Sequence, residues 1–240
     1  MIWAAKYWLR KENNVKKIVA AFGFALAVLA SSSAFAQSGV LAPPDHSELD
    51  YVFTQSPDDH VVGEEDASVT IIAYASVTCP HCSAWFKNVW PTFKEEQIDT
   101  GNVKFILREF PTAPANIAYT GFMLANCAPE EERFDHIVHQ MQNQDDIFAA
   151  LKAGNGKETY EALGQKAGLE DAAAMDACFA DKALLEKIQT SAKRGQAAGM
   201  TGVPAFFVNG EKLQGEATSE KLAEVIAQNT TPNVSTLSEK

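Results

Sequence analysis

About a third of the way along the chain, the stretch "ASVTIIAYASVTCPHCSAWFKNVW" changes its period within a few residues. The run from Ala67 to Ser76 is β-branched, aromatic or otherwise apolar at nearly every position, the pattern of a strand covered on both faces. Past Cys79, the residues Cys82, Trp85, Phe86, Val89, Trp90 and Phe93 recur at intervals of three and four, the period of a helix. Pro91 should kink that helix. "NVKFILREF", ending at Pro111, reads as a second strand. Strand, helix and strand in this order make a βαβ unit, which reacts or binds at the carboxyl edge of its sheet. Cys79 and Cys82 stand at that edge.

Three residues apart on a helix, two cysteines lie on neighbouring faces, within the Cα separation that a disulfide needs. A strand running straight into the helix puts Cys79 at its amino end, and Pro80 suits the first helical position, where a missing N–H costs nothing. The unpaired amides and positive dipole end then favour a thiolate at Cys79, and His81 adds positive charge or a hydrogen bond. A stabilised thiolate stabilises the reduced pair and makes the disulfide an eager electron acceptor. Two other readings exist. A metal-binding or metal-delivery protein could use Cys79, Cys82 and His81, although a structural zinc site wants four ligands and no second CxxC or paired-His motif is present. A merely structural disulfide would not need helical spacing with a histidine inside it. The choice depends on the compartment.

Residues 1–36 have basic positions up to Lys17, an apolar run from Ile18 to Ala30, then "SSSAFA", with small residues at Ala34 and Ala36 that suit signal peptidase. This predicts export to a periplasm-type compartment with cleavage after Ala36. A retained membrane anchor is the alternative, since Ile18 to Ala36 could nearly span a bilayer. Without residues 1–36 the chain carries 15 basic and 30 acidic residues, a net charge of −15. Such a surface argues against nucleic acid and anionic lipid as ligands. An exported chain sits where disulfides persist.

Residues 37–58 read as an extended lead-in, with Tyr51 and Phe53 available to pin it to the core. From about Ala113 to Ala198 the pattern is helical, with Gly154, Gly156, Gly164, Gly168 and Gly199 as expected stops. Strand chemistry returns in "PAFFVNGEKLQG", where Asn209-Gly210 is a favoured two-residue hairpin turn. A last helix is expected over 219–228, and the tail 230–240 reads as disordered.

"TCPHC", "KFILREFP" with Arg108 and Pro111, the helical stretch after it, and "TGVPAFFVNG" together resemble the DsbA-like thiol:disulfide oxidoreductases, from about His60 to Gln228. The resemblance implies an α/β thioredoxin-like fold, a central mixed β-sheet flanked by helices, with an inserted all-helical domain. The thioredoxin-like part would be 59–112 and 199–229, and the insertion 113–198. It implies that Cys79 is the nucleophile, that Cys82 is its buried partner, and that Val203 and a cis Pro204 bind substrate, Val203 through main-chain hydrogen bonds of the added-strand kind. No cofactor or metal beyond the Cys79–Cys82 disulfide is implied. The implied partners are exported proteins with free cysteines, and a membrane quinone reductase of the DsbB type as reoxidant, with the protein itself a monomer. A dithiol oxidase is the first reading; a reductase or isomerase of the same fold is the alternative. One departure stands out: the family often has a buried carboxylate six residues before the first cysteine, where this chain has Ala73.

Cys127 and Cys178 each share an apolar helical face with neighbours such as Met123 and Met175. Two buried free thiols would satisfy that pattern, but in an oxidising compartment a Cys127–Cys178 disulfide is expected. His136, His139 and Met141 read as a solvated helix face rather than a metal patch, and His46 and His60 carry no signal.

Overall fold

In the computed structural model the run around "VTIIAYA" is strand β2 (Val69–Ala75), the centre of a five-stranded sheet of order β1-β3-β2-β4-β5. The description covers residues 51–230; the expected signal peptide, His46, the lead-in up to residue 50 and the tail from 231 lie outside the described residues. β2 pairs in parallel with β3 (Val103–Glu109), Val69 opposite Val103 and Ala75 opposite Glu109. β1 (His60–Val62) runs antiparallel to β3, β4 (Ala205–Val208) antiparallel to β2, and β5 (Glu211–Lys212) antiparallel to β4.

The continuous apolar run of β2 is explained by its burial on both faces. Ile71, Ala73 and Ala75 join a core with Trp85, Phe86, Trp90, Phe93, Phe105 and Phe206. Ile72 and Tyr74 face the other way, against Met200 and Phe207. Fully burying a side chain such as Phe86 or Phe105 contributes about 2–3 kcal/mol.

The βαβ connection is α1 (Pro80–Asn88), α2 (Trp90–Phe93) and a π-helical turn Lys94–Ile98, in which the Asp99 amide donates to the Lys94 carbonyl. The kink expected from Pro91 is a break at Val89, two residues earlier. Restarting the helix there places the proline in a first turn, where it has no N–H bond to lose.

Between β3 and β4 come α3 (Ala115–Cys127), α4 (Arg133–Gln142), α5 (Gln144–Lys152), α6 (Gly156–Lys166), α7 (Ala172–Ala180) and α8 (Lys182–Ala197). α9 (Ser219–Thr230) ends the described chain. Gly154, Gly168 and Gly199 follow helices with φ of 89°, 77° and 70°, the left-handed conformation of a helix stop. Gly156 and Gly164 are not stops. Gly156 opens α6, and Gly164 lies inside it where an added Cβ would come within 3.1 Å of the Met175 sulfur, so its role is close helix packing. The Asn209-Gly210 hairpin forms as expected, with φ of 47° and 87°.

The start of the described chain is tied down by Arg108, only 1% exposed. Its guanidinium donates to both carboxylate oxygens of Asp59 at 2.8 Å, to the carbonyls of Val52 and Thr54, and to the Tyr74 hydroxyl. This bidentate pairing fixes the segment that the sequence left as an extended lead-in. β1 was not expected; three residues are too few to show a period, and its strand geometry comes from pairing with β3.

Candidate active site

Strand β2 ends at Ala75, and the three residues Ser76, Val77 and Thr78 turn the chain into α1. Cys79 is the residue immediately before the helix, with extended backbone (φ −89°, ψ 120°), and Pro80 takes the first helical position. Because proline has no N–H, the first free amides are those of His81 and Cys82, and both stabilise charge on the Cys79 sulfur.

The two thiols differ in their readiness to ionise. The Cys79 pKa is lowered to about 6, chiefly by a hydrogen bond from the Cys82 thiol; burial opposes this, and the two amides and then the His81 charge add smaller contributions. Cys82 is fully buried, and burial pushes its thiol well up, reinforced by its hydrogen bond to Cys79 and by the Cys79 charge; the Ser76 amide, 3.4 Å from the sulfur, pulls slightly the other way. The reduced pair therefore holds its first negative charge on the outer sulfur. His81 is exposed, and its charge is the smallest of these contributions. Sequence reasoning put the helix amides and dipole first, with His81 adding to them, and missed the thiol–thiolate hydrogen bond.

Opposite the pair runs the loop before β4. The Val203–Pro204 peptide is cis, and the Cys79 thiol donates to the Val203 carbonyl at 3.3 Å. The sequence-predicted residues Cys79, Pro80, His81, Cys82, Val203 and Pro204 thus gather at the carboxyl edge of β2. Cys127 and Cys178 are elsewhere, joined as a disulfide between α3 and α7 across 51 residues. Ala73 is buried in the core.

Several site residues carried no sequence signal. The Ser76 hydroxyl accepts the Thr78 and Thr112 amides and meets the Thr78 hydroxyl at 3.0 Å, and Thr78 in turn meets Thr112. These bonds tie the end of β2 to the segment after β3, where a second cis peptide, Ala113–Pro114, lies. Gln144 donates from its side chain to the carbonyls of Val77 and Cys79. His60 is buried against Glu109 at 3.3 Å, with Asn126 also donating to Glu109. The expected solvated face of α4 is corrected as well: Met141 is fully buried, since α4 packs on the aromatic core, and only His136 and His139 reach water, in part.

Among the described residues no three His, Cys, Asp or Glu side chains are placed to share a metal ion. A cavity of about 560 Å³ lies around Gln55–Val62, Asn126 and Arg133, and no cysteine lines it. Cys79, 8% exposed, lies instead beside the Val203–Pro204 loop.

The thioredoxin family model matches residues 55–228, most of the chain and all of the site. The chain belongs to the thioredoxin family. Several similar proteins have names that refer to disulfide chemistry. A Rickettsia prowazekii protein named as a protein-disulfide oxidoreductase is 26% identical over 171 residues, covering 71% of this chain and 61% of its own length. A Bacillus anthracis protein named as disulfide bond formation protein D is 25% identical, covering 68% of this chain and 75% of its own. The crystal structure of Wolbachia pipientis alpha-DsbA1 superposes with a TM-score of 0.62 at 27% identity, covering 72% of this chain and 92% of that one. The chain thus spans about three fifths of the length of the Rickettsia relative. The expected thioredoxin-like fold with inserted helices is the one observed.

Proposed function

We propose that this thioredoxin-family chain is a thiol:disulfide oxidoreductase that works as a dithiol oxidase, giving the Cys79–Cys82 disulfide to exported proteins. The observation that carries this reading is the split between the two sulfurs: an outer thiolate with a pKa of about 6 beside a buried thiol pushed well up. A client thiolate attacks the Cys79 sulfur of the oxidised pair. The Cys79–Cys82 bond breaks, a client–Cys79 bond forms, and Cys82 leaves with the electron pair and takes up a proton. A second client thiolate then attacks the client sulfur of the mixed disulfide, and Cys79 leaves as the thiolate that its surroundings stabilise. Two electrons pass from client to enzyme.

The Val203–Pro204 loop supports an extended client segment beside Cys79, through main-chain hydrogen bonds that suit many sequences. The net charge of −15 without residues 1–36 supports proteins rather than nucleic acids as partners. Reoxidation needs a disulfide or quinone acceptor, and a membrane quinone reductase of the DsbB type fits that need. A periplasm-type location agrees with the bonded Cys127–Cys178 pair. Among the described residues no helix is long and apolar enough to cross a membrane.

The test mixes the oxidised chain with a reduced, unfolded protein containing two cysteines and counts client thiols with time. Stoichiometric loss of client thiols, absent with Cys79→Ser, is the expected result. A pair that instead reduces client disulfides would make the chain a reductase. Metal bound at one per chain that protects both thiols from alkylation would replace enzymatic chemistry by metal delivery.

A further inference from the structure

The inserted helices reach back to the reactive pair through an alternating row of glutamines in "HQMQNQ". Gln140, near the end of α4, donates to the Gly121 carbonyl of α3 at 2.9 Å. Gly121 has no room for a side chain, since a Cβ would meet the Gln140 oxygen at 2.4 Å and Val77 at 2.9 Å. Gln142 donates at 3.1 Å to the carbonyl of Phe86, among the last-turn carbonyls that α1 leaves without helical partners. Gln144, the first residue of α5 and only 4% exposed, donates to the Val77 carbonyl at 2.7 Å and the Cys79 carbonyl at 3.2 Å. Two glutamines thus hold opposite ends of the helix that carries the cysteines.

They differ in what they can do. The Cys79 carbonyl already accepts the Ser83 amide as the first bond of α1. Gln144 adds a second donor there and takes the Val77 carbonyl as well, so one carboxamide spans the turn that aims the Cys79 sulfur at the Val203 carbonyl. Gln142 has the same chemistry near the far end of the helix. Titratable groups on these two helices include the exposed His81 on α1, the Lys87–Asp145 pair between α1 and α5, and the exposed Asp146 in the first turn of α5.

We propose that Gln144 is a positioning residue for the Cys79–Cys82 exchange, holding the Val77–Cys79 turn from the inserted helices so that the helix amides stay directed at the Cys79 sulfur. The proposal rests on the thiol-exchange reading above. Losing the carboxamide removes a positive dipole end beside the turn and lets the amides drift, so the Cys79 thiolate becomes less stable.

The experiment measures the Cys79 thiol pKa of the reduced full chain from thiolate absorbance and from alkylation rate against pH. Wild type is compared with Gln144→Met, which keeps the side-chain volume, Gln144→Glu, and Gln142→Met as the matched control. Gln144→Met should raise the pKa by about half a unit, lowering alkylation at pH 5 about threefold, and Gln144→Glu should raise it further by adding negative charge. Gln142→Met should leave it unchanged. Equal shifts from Gln142→Met and Gln144→Met, or none from either Gln144 variant, would overturn the proposal. So would loss of the folded circular-dichroism signal in both Gln144 variants, because the residue would then be structural. If wild-type Cys79 itself titrates near 9, the functional reading fails, whatever Gln144 does.

Discussion

The molecule contains two cysteine pairs, and their surroundings differ in almost every respect. Cys79 and Cys82 are three residues apart at the start of a helix, next to free amides, with one sulfur near the surface and the other fully buried. Cys127 and Cys178 are separated by 51 residues, lie on two helices of the insertion and are bonded, with Leu124, Leu163 and Met175 packed around them. The first pair is arranged so that its reduced form is stable, because the thiolate has donors waiting for it. The second has apolar neighbours that favour neither charged sulfur, so its oxidised form costs nothing in solvation. The comparison teaches that reactivity here comes from the helix terminus and the buried partner thiol rather than from cysteine as such.

Removing a sulfur from the reactive pair should produce the largest effect. Cys79→Ser is expected to reduce client oxidation to the level seen without protein, since Cys82 alone has no disulfide to give. Cys82→Ser keeps the Cys79 thiolate, which attacks the disulfide of an oxidised client, releases one client thiolate and, with no Cys82 to resolve the bond, should accumulate a client-linked species on non-reducing gels. A Cys79→Ser protein that still oxidised clients would move the chemistry elsewhere.

The second pair should affect stability and leave the chemistry alone. Replacing Cys127 and Cys178 together by serine opens a 51-residue loop, and the chain-entropy relation gives a cost of ~4 kcal/mol. Urea unfolding measures it. The reduction potential of the reactive pair should not move, and a shift comparable to that from altering the site itself would break the distinction between the pairs.

How much of this was readable in advance depended on whether the signal was local. The β2 run, the CPHC helix start and the Asn209-Gly210 turn are set by neighbours in sequence, and all three form where their residues are. The Cys127–Cys178 pairing followed from the oxidising compartment and from a count of four cysteines with two committed to the site, not from any spacing. What was not readable depends on distant partners. Gln144, Ser76 and Thr112 are ordinary polar residues until the fold brings main-chain groups to them. His60 is buried only because β1 lies beside Glu109, and Met141 is buried because the aromatic core reaches α4. His81 was legible as a residue but not in its weight, which is small because the side chain points to solvent.

A smaller effect concerns pH. The folded protein lowers the Cys79 pKa from 9.0 to about 6, so ionisation stabilises the reduced fold. That contribution is complete above pH 9, shrinks as pH falls towards 6 and is lost below it. Cys82, raised by burial, stays protonated across this window. The melting temperature of reduced wild type relative to Cys79→Ser should therefore rise from pH 6 to pH 9. A flat difference would mean that the outer sulfur is no better stabilised than an ordinary thiol.

His81→Leu should give the smallest change, a rise in the Cys79 pKa of a fraction of a unit, read from thiolate absorbance. A shift above about one unit would make the histidine, not the amides and the partner thiol, the source of the contrast.

The central claim is that the Cys79–Cys82 disulfide is a donor. Equilibrating the chain in glutathione buffers and counting alkylated cysteines gives the potential of each pair. The account predicts a reactive pair more oxidising than about −180 to −210 mV, while Cys127–Cys178 stays oxidised throughout. A reactive pair near the roughly −270 mV of thioredoxin would contradict it and make the chain a reductase.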